Sequence, residues 1–224
     1  MAENITKGVI IEFDFAAMDG AQLLFDVAKK FLANLDGIPF DARIEAQYLA
    51  GGNYQGGLAD YFAVVKTKKT AAKAAKDLAE AFGTALKTAV PAAVTPAFGN
   101  FVSAIASKGV KVVIATRADV SKVEPAFAGL LGENVALYQE PSSTYGSVKW
   151  DAWRRACAQN KLRNTMTLAV TGSGYGVKSA LLAGMGAVAV EWPHVAYQDF
   201  GGADEVLREL SGKTAKTVLE VLRV

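Results

Sequence analysis

Four short apolar runs govern how this chain can fold: GVIIEFDF (8–15), VKVVIATRA (110–118), TMTLAVTGSG (165–174) and GAVAVEW (186–192). Continuous apolar runs of this length, rich in β-branched residues, suit strands buried on both faces, as in parallel sheets. Helix-like segments separate them. TPAFGNFVSAIASKG leads into the second run, with Gly109 placed to end the helix. SVKWDAWRRACAQNKL leads into the third, and GVKSALLAGMG joins the third to the fourth. Strand–helix alternation of this kind implies right-handed crossovers and a doubly wound, mostly parallel α/β sheet.

Between the first two runs lies a stretch far longer than a strand–helix connection needs. It holds two helix-like segments, GAQLLFDVAKKFLANL and TAAKAAKDLAEAFGTALKTAV, with AGGNYQGGLADYF between them. An inserted helical domain over one sheet edge accounts for it. The expected division is a core of residues 1–15 and 95–224 and a helical cap of residues 16–94. The glycine-aromatic stretch is expected either to face the cleft or to form a turn whose aromatics fill the cap core.

Composition narrows the function. The chain has 224 residues, 51% hydrophobic and 21% charged, which is enough for a sizeable core. A net charge of +2 and the lack of a basic-aromatic block argue against nucleic acid as a partner. Lys66, Lys68, Lys69, Lys73 and Lys76 are expected on a solvated helix face. One cysteine (Cys157) and one histidine (His194) leave zinc chemistry and Ser-His or Cys-His nucleophiles poorly supported. Cys157 is expected as a buried thiol on an amphipathic helix. Trp150 and Trp153, three apart on that helix, are expected to pack against the sheet. No run is long enough to span a membrane and no signal pattern opens the chain, so a cytoplasmic protein is expected.

Asp14 ends the first run, and the carboxyl ends of parallel strands are where open α/β sheets place chemistry. A first strand ending in Asp, a helical insertion, and a later strand ending in Thr116 resemble the haloacid dehalogenase (HAD) superfamily. Its helically capped subgroup includes phosphoglycolate phosphatases and β-phosphoglucomutases. TGSGYGVKSALLAGMGAVAV (171–190) and PAFGNFVSAIASKGVKVVIAT (96–116) carry the remaining resemblance. It implies Asp14 as nucleophile, Thr116 and Lys149 as phosphate-holding groups, and Mg²⁺ on nearby carboxylates. Ser147 competes with Lys149 for the lysine position.

The chain departs from that pattern at the acids. Ala16 stands where a second Asp is implied, and Thr171 and Gly172 stand where the metal-binding carboxylates are implied, with Ser173 retained. Without a cation, Asp14 and a phosphoryl oxygen about 4 Å apart repel by about 4 kcal/mol at an effective dielectric of 20. Losing about 3–5 kcal/mol of metal stabilisation slows chemistry by roughly 10² to 10⁴. Loss of the general acid removes a comparable factor, about 10² to 10⁴. No cofactor is expected, with Mg²⁺ at most weakly bound.

The expectation is therefore a catalytically degenerate HAD-like protein that binds a small anionic metabolite or a protein partner. The alternative is an active, metal-independent or weak hydrolase, phosphatase-, phosphonatase- or dehalogenase-like, using Asp14 as nucleophile. Arg117 and Ser173 are the candidate substrate-binding residues. Arg117 is open to two roles, holding an anion or pairing with Asp14. Glu12, two residues before Asp14, is a weaker candidate for a replacement acid. Either Thr116 or Asp119 is expected to cap the following helix.

Overall fold

The computed structural model describes residues 6–49, 53–140 and 150–224. Among these, six parallel strands form one sheet: β1 (Gly8–Glu12), β2 (Lys111–Thr116), β3 (Val135–Gln139), β4 (Thr167–Thr171), β5 (Gly186–Val190) and β6 (Glu205–Leu207). Their order is β3-β2-β1-β4-β5-β6. The chain moves outward in opposite directions on the two sides of β1, so the crevice beyond the carboxyl ends of β1 and β4 is the topological switch point. Glu12 pairs in register with Ala115, and Ile11 with Val170, which brings the ends of β1, β2 and β4 together.

The first run does not stay extended to Asp14. β1 ends at Glu12, and Phe13–Ala16 forms a single helical turn, α1. The turn buries Phe13 beneath the site, edge-on to Phe98 at 4.9 Å and to Phe127 at 5.0 Å. Those three rings anchor the turn that carries Asp14. Edge-to-face packing of this kind adds roughly 0.5–1.5 kcal/mol per pair beyond area burial.

The insertion is helical: α2 (Gly20–Asp36), α3 (Ala42–Ile44) running into a π turn at Glu45–Leu49, α4 (Tyr54–Val65) and α5 (Ala71–Ala93). Asp19 caps α2 by accepting from the Gln22 N–H. On α5 the buried Ala74, Leu78, Phe82, Leu86 and Val90 recur every four residues, a stripe that closes against α2 and α4. The glycine-aromatic stretch is mostly helix rather than turn. Gly57 makes this possible, because a Cβ there would lie 1.7 Å from the Tyr48 carbonyl oxygen. Tyr54, Leu58, Tyr61 and Phe62 of α4 are buried in the cap core. Residues 50–52 lie outside the described residues.

The core completes itself with α6 (Pro96–Ala106), α7 (Val120–Phe127), α8 (Trp150–Gln159), α9 (Gly174–Leu182) and α10 (Gly212–Val221). Strand alternation sorts the two faces. Val9, Ile11, Val112 and Ile114 face a core shared with α6, α7 and α10, while Ile10, Val113 and Ala169 face α8 and α9. Helix α6 ends at Ala106 with Ser107 as its cap, and Gly109, at φ +73°, turns the chain into β2. Asp119, not Thr116, caps α7. Cys157 and Trp153 are buried on α8. Trp150 departs from expectation: the first residue of α8, it is 47% exposed and lies under the Arg154 guanidinium. The five lysines are exposed, but Lys66, Lys68 and Lys69 lie at the end of α4 and in the connection to α5. No single helix among the described residues is long and apolar enough to cross a membrane.

Candidate functional site

Asp14, Thr116 and Arg117 come together at the carboxyl ends of β1 and β2. Asp14 is fully buried. Its Oδ1 accepts the Thr116 hydroxyl at 2.6 Å, and its Oδ2 accepts the Arg117 backbone N–H at 2.6 Å. The Thr116 hydroxyl oxygen in turn accepts the Ala118 N–H at 3.1 Å. Charge-assisted bonds of this length are the strong class. They hold both oxygens of the carboxylate against the protein's own donors.

Arg117 belongs first to Glu12. Its Nη2 donates to Glu12 Oε1 at 2.9 Å, and Nη1 stands 3.8 Å from Asp14 Oδ2. The guanidinium also covers the Phe15 ring, 4.9 Å from its centroid. Glu12 Oε2 accepts a short hydrogen bond from the Thr171 hydroxyl. All four oxygens of the two carboxylates are therefore engaged, and the positive charge between them is a side chain of this chain. In this structure Arg117 pairs with both carboxyls, and Glu12 is the nearer partner. Glu12 was the weakest sequence candidate, and its signal was its place two residues before Asp14 on the first run.

Burial pushes the Asp14 and Glu12 carboxyls up, against the downward pull of Arg117 and of the threonine hydroxyls. Burial also opposes the charge of Arg117, but Glu12 and Asp14 outweigh it and raise its pKa. One guanidinium cannot balance two buried carboxylates, so the pair resists double ionisation. A carboxyl with a raised folded pKa adds stability that is complete below its unfolded pKa and is lost as pH rises through the folded value. Acidification from neutrality towards the ordinary glutamate value of 4.5 should thus favour wild type over Glu12→Gln. Thermal melts across that range test this, and a gap that widens toward alkaline pH would contradict it.

The residues do not fit Mg²⁺. The ion prefers octahedral oxygen coordination with carboxylates. Among the described residues, no group of three or more His, Cys, Asp or Glu is arranged to hold a metal. At Gly172 a side chain is sterically barred, since a Cβ would lie 1.8 Å from the Phe15 carbonyl oxygen. That carbonyl is itself taken by the Trp192 indole N–H at 2.9 Å. A divalent ion about 4 Å from the guanidinium would be repelled by about 8 kcal/mol at an effective dielectric of 20, twice the figure for two unit charges.

Space is equally restricted beside Glu12. A cavity of about 10 Å³ lined by Glu12, Thr116, Arg117, Glu140 and Trp153 has room for a single water. It is too small for a phosphoryl group. The buried Trp153 indole N–H has no hydrogen-bond partner among the described residues.

Ser173 is placed elsewhere than in this network. It is the N-cap of α9, where its hydroxyl oxygen accepts the Gly176 N–H at 2.9 Å. The Gly174 N–H donates to Gln198 Oε1 at 2.9 Å. Two N–H groups of this turn, those of Gly174 and Gly176, are thus bonded within the protein. Lys149 and Ser147 lie outside the described residues.

A contact that sequence reasoning did not find joins the cap to the core. Glu45 of the π turn meets His194 Nε2 at 2.7 Å, on the short 3₁₀ turn Pro193–Val195 that follows β5. Phe25 of α2 packs against the same imidazole at a tilt, with centroids 5.2 Å apart. Burial pushes the Glu45 carboxyl up, while His194 pulls it down. Tyr54 is buried nearby, and burial raises its hydroxyl pKa with Glu45 adding to the effect.

No protein-family model and no curated protein matches the chain. Solved structures do. A β-phosphoglucomutase from Clostridium difficile matches at a TM-score of 0.71 and 11% identity, covering 98% of each chain. CbbY from Rhodobacter sphaeroides, in complex with xylulose-(1,5)-bisphosphate, matches at a TM-score of 0.66 and 14% identity, covering 92% of this chain and 95% of that one. A HAD family hydrolase from Deinococcus radiodurans, with bound phosphate and sodium, matches at a TM-score of 0.55 and 18% identity, covering 97% and 96%. The fold is the HAD-like one, an α/β core with a helical cap.

Proposed function

We propose that this chain is a catalytically degenerate HAD-like protein, in which Asp14 has become part of a structural charge cluster. The observation that supports this most directly is the state of Asp14, fully buried with each oxygen accepting a hydrogen bond of 2.6 Å. Nucleophilic attack needs an unencumbered oxygen about 3–3.5 Å from the reacting atom. Here Asp14 has no exposed surface for a substrate to reach, and each of its oxygens already accepts from one of the protein's own donors. The groups expected to hold an anion are committed too, Arg117 to Glu12 and Ser173 to capping α9. The protein's role is then binding, with a small anionic metabolite or a protein partner taken outside the Asp14 cluster.

The test is hydrolysis of a broad panel of phosphate esters and 2-haloacids, with and without Mg²⁺, by wild type and by Asp14→Asn purified identically. Equal trace rates for the two proteins are expected. Turnover that vanishes in Asp14→Asn would replace this reading with the hydrolase one. Its metal dependence would then separate phosphoryl from carbon chemistry.

A further inference from the structure

The disagreement between this site and a metal ion has a specific cause, and it lies in one side chain. We infer that Arg117 is the resident cation of the site: its guanidinium and a divalent ion exclude each other, and removing it exposes a latent cation site on Glu12 and Asp14. This rests on the reading of the site as a structural charge cluster. Four observations converge on it. Glu12 and Asp14 are 2% and 0% exposed, so their charge needs a partner inside the protein. The guanidinium supplies it, at 2.9 Å from Glu12 and 3.8 Å from Asp14. Phe15 covers the guanidinium, and the Arg117 backbone N–H ties residue 117 to Asp14. Finally, the turn carrying Asp14 lies so close to Gly172 that no further carboxylate fits there. The Glu12 and Asp14 carboxylates and the Thr116 and Thr171 hydroxyls form an oxygen-rich set around a single guanidinium.

The experiment compares thermal unfolding of wild type, Arg117→Ala and the double variant Arg117→Ala/Glu12→Gln. Each is measured in NaCl alone, with MgCl₂ or CaCl₂ at matched ionic strength, and with guanidinium at millimolar concentration. Wild type is expected to melt at the same temperature in all conditions. Arg117→Ala should melt lower and be raised by the divalent ions and by guanidinium, and the double variant should lose most of that rescue. If Arg117→Ala does not fold in NaCl, refolding with Mg²⁺ or guanidinium decides: recovery supports the inference, and failure in both overturns it. A wild-type melt raised by Mg²⁺ as much as the variant's also overturns it. Turnover by wild type would sink the proposed function but leave this inference standing if that turnover ignores Mg²⁺.

Discussion

Gly172→Asp, which returns a carboxylate to the position where the HAD resemblance implies one, should unfold the protein rather than awaken it. A Cβ at 172 would lie 1.8 Å from the Phe15 carbonyl oxygen and 2.4 Å from its carbon. Neither atom belongs to a flexible side chain. Relief requires moving α1, which carries Asp14 and is pinned by Phe98, Phe127 and the Trp192 indole. The expected loss exceeds about 4 kcal/mol, in the range reserved for a named structural failure. Gly172→Ala should fail for the same reason, since the Cβ alone makes the clash. Gly129→Ala is the control, because a Cβ there meets nothing within 4 Å. It should stay within about 0.5 kcal/mol of wild type. Soluble yield and urea unfolding check all three, and a folded Gly172→Asp of wild-type stability would show that the turn is free to move.

The second large effect is at Arg117. Arg117→Ala strands two buried carboxylates, and breaking a buried ion pair by removing one partner costs about 3–5 kcal/mol. Replacing the charged pair together is a different experiment. Arg117→Met with Glu12→Gln leaves Thr171 an acceptor and Asp14 its two hydrogen bonds to Thr116 and the residue-117 backbone. Concerted replacement of buried ions by groups of similar volume is often neutral. The double variant still leaves Asp14 without a cation, so it should recover part of what Arg117→Ala loses. Urea unfolding with matched slopes is the measurement, and a double variant as unstable as the single would mean that Arg117 acts through packing alone.

Much of the fold could be read from residue order. The four apolar runs became β1, β2, β4 and β5, and their separation announced the helical insertion. β3 and β6 were missed because they are edge strands, half-exposed and less apolar, and β6 has only 3 residues. Gly56 and Gly57 suggested a turn where α4 forms, because the tight approach of Gly57 to Tyr48 is a tertiary fact with no local signature. The site was legible only as a list. Asp14, Thr116 and Arg117 were named as candidates, but nothing in the residue order set Glu12 beside Arg117. Asp14 is on a helical turn, and the two carboxylates meet because both reach Arg117. The bar at Gly172 and the Glu45–His194 contact join residues far apart in sequence. No spacing rule reports such contacts.

This geometry separates what a fold retains from what a reaction requires. The switch point, the parallel sheet and the covering helices match the HAD-like fold, while at the strand ends a single guanidinium partly offsets two buried carboxyls. Activity belongs to the arrangement of side chains, not to the architecture that holds them.

The most direct measurement is a high-resolution crystal structure of wild type grown in saturating Mg²⁺. The account predicts Arg117 bridging Glu12 and Asp14, both Asp14 oxygens bonded to Thr116 and the Arg117 N–H, and no metal at that carboxylate. An octahedral ion on Asp14, with the guanidinium swung away, would contradict it.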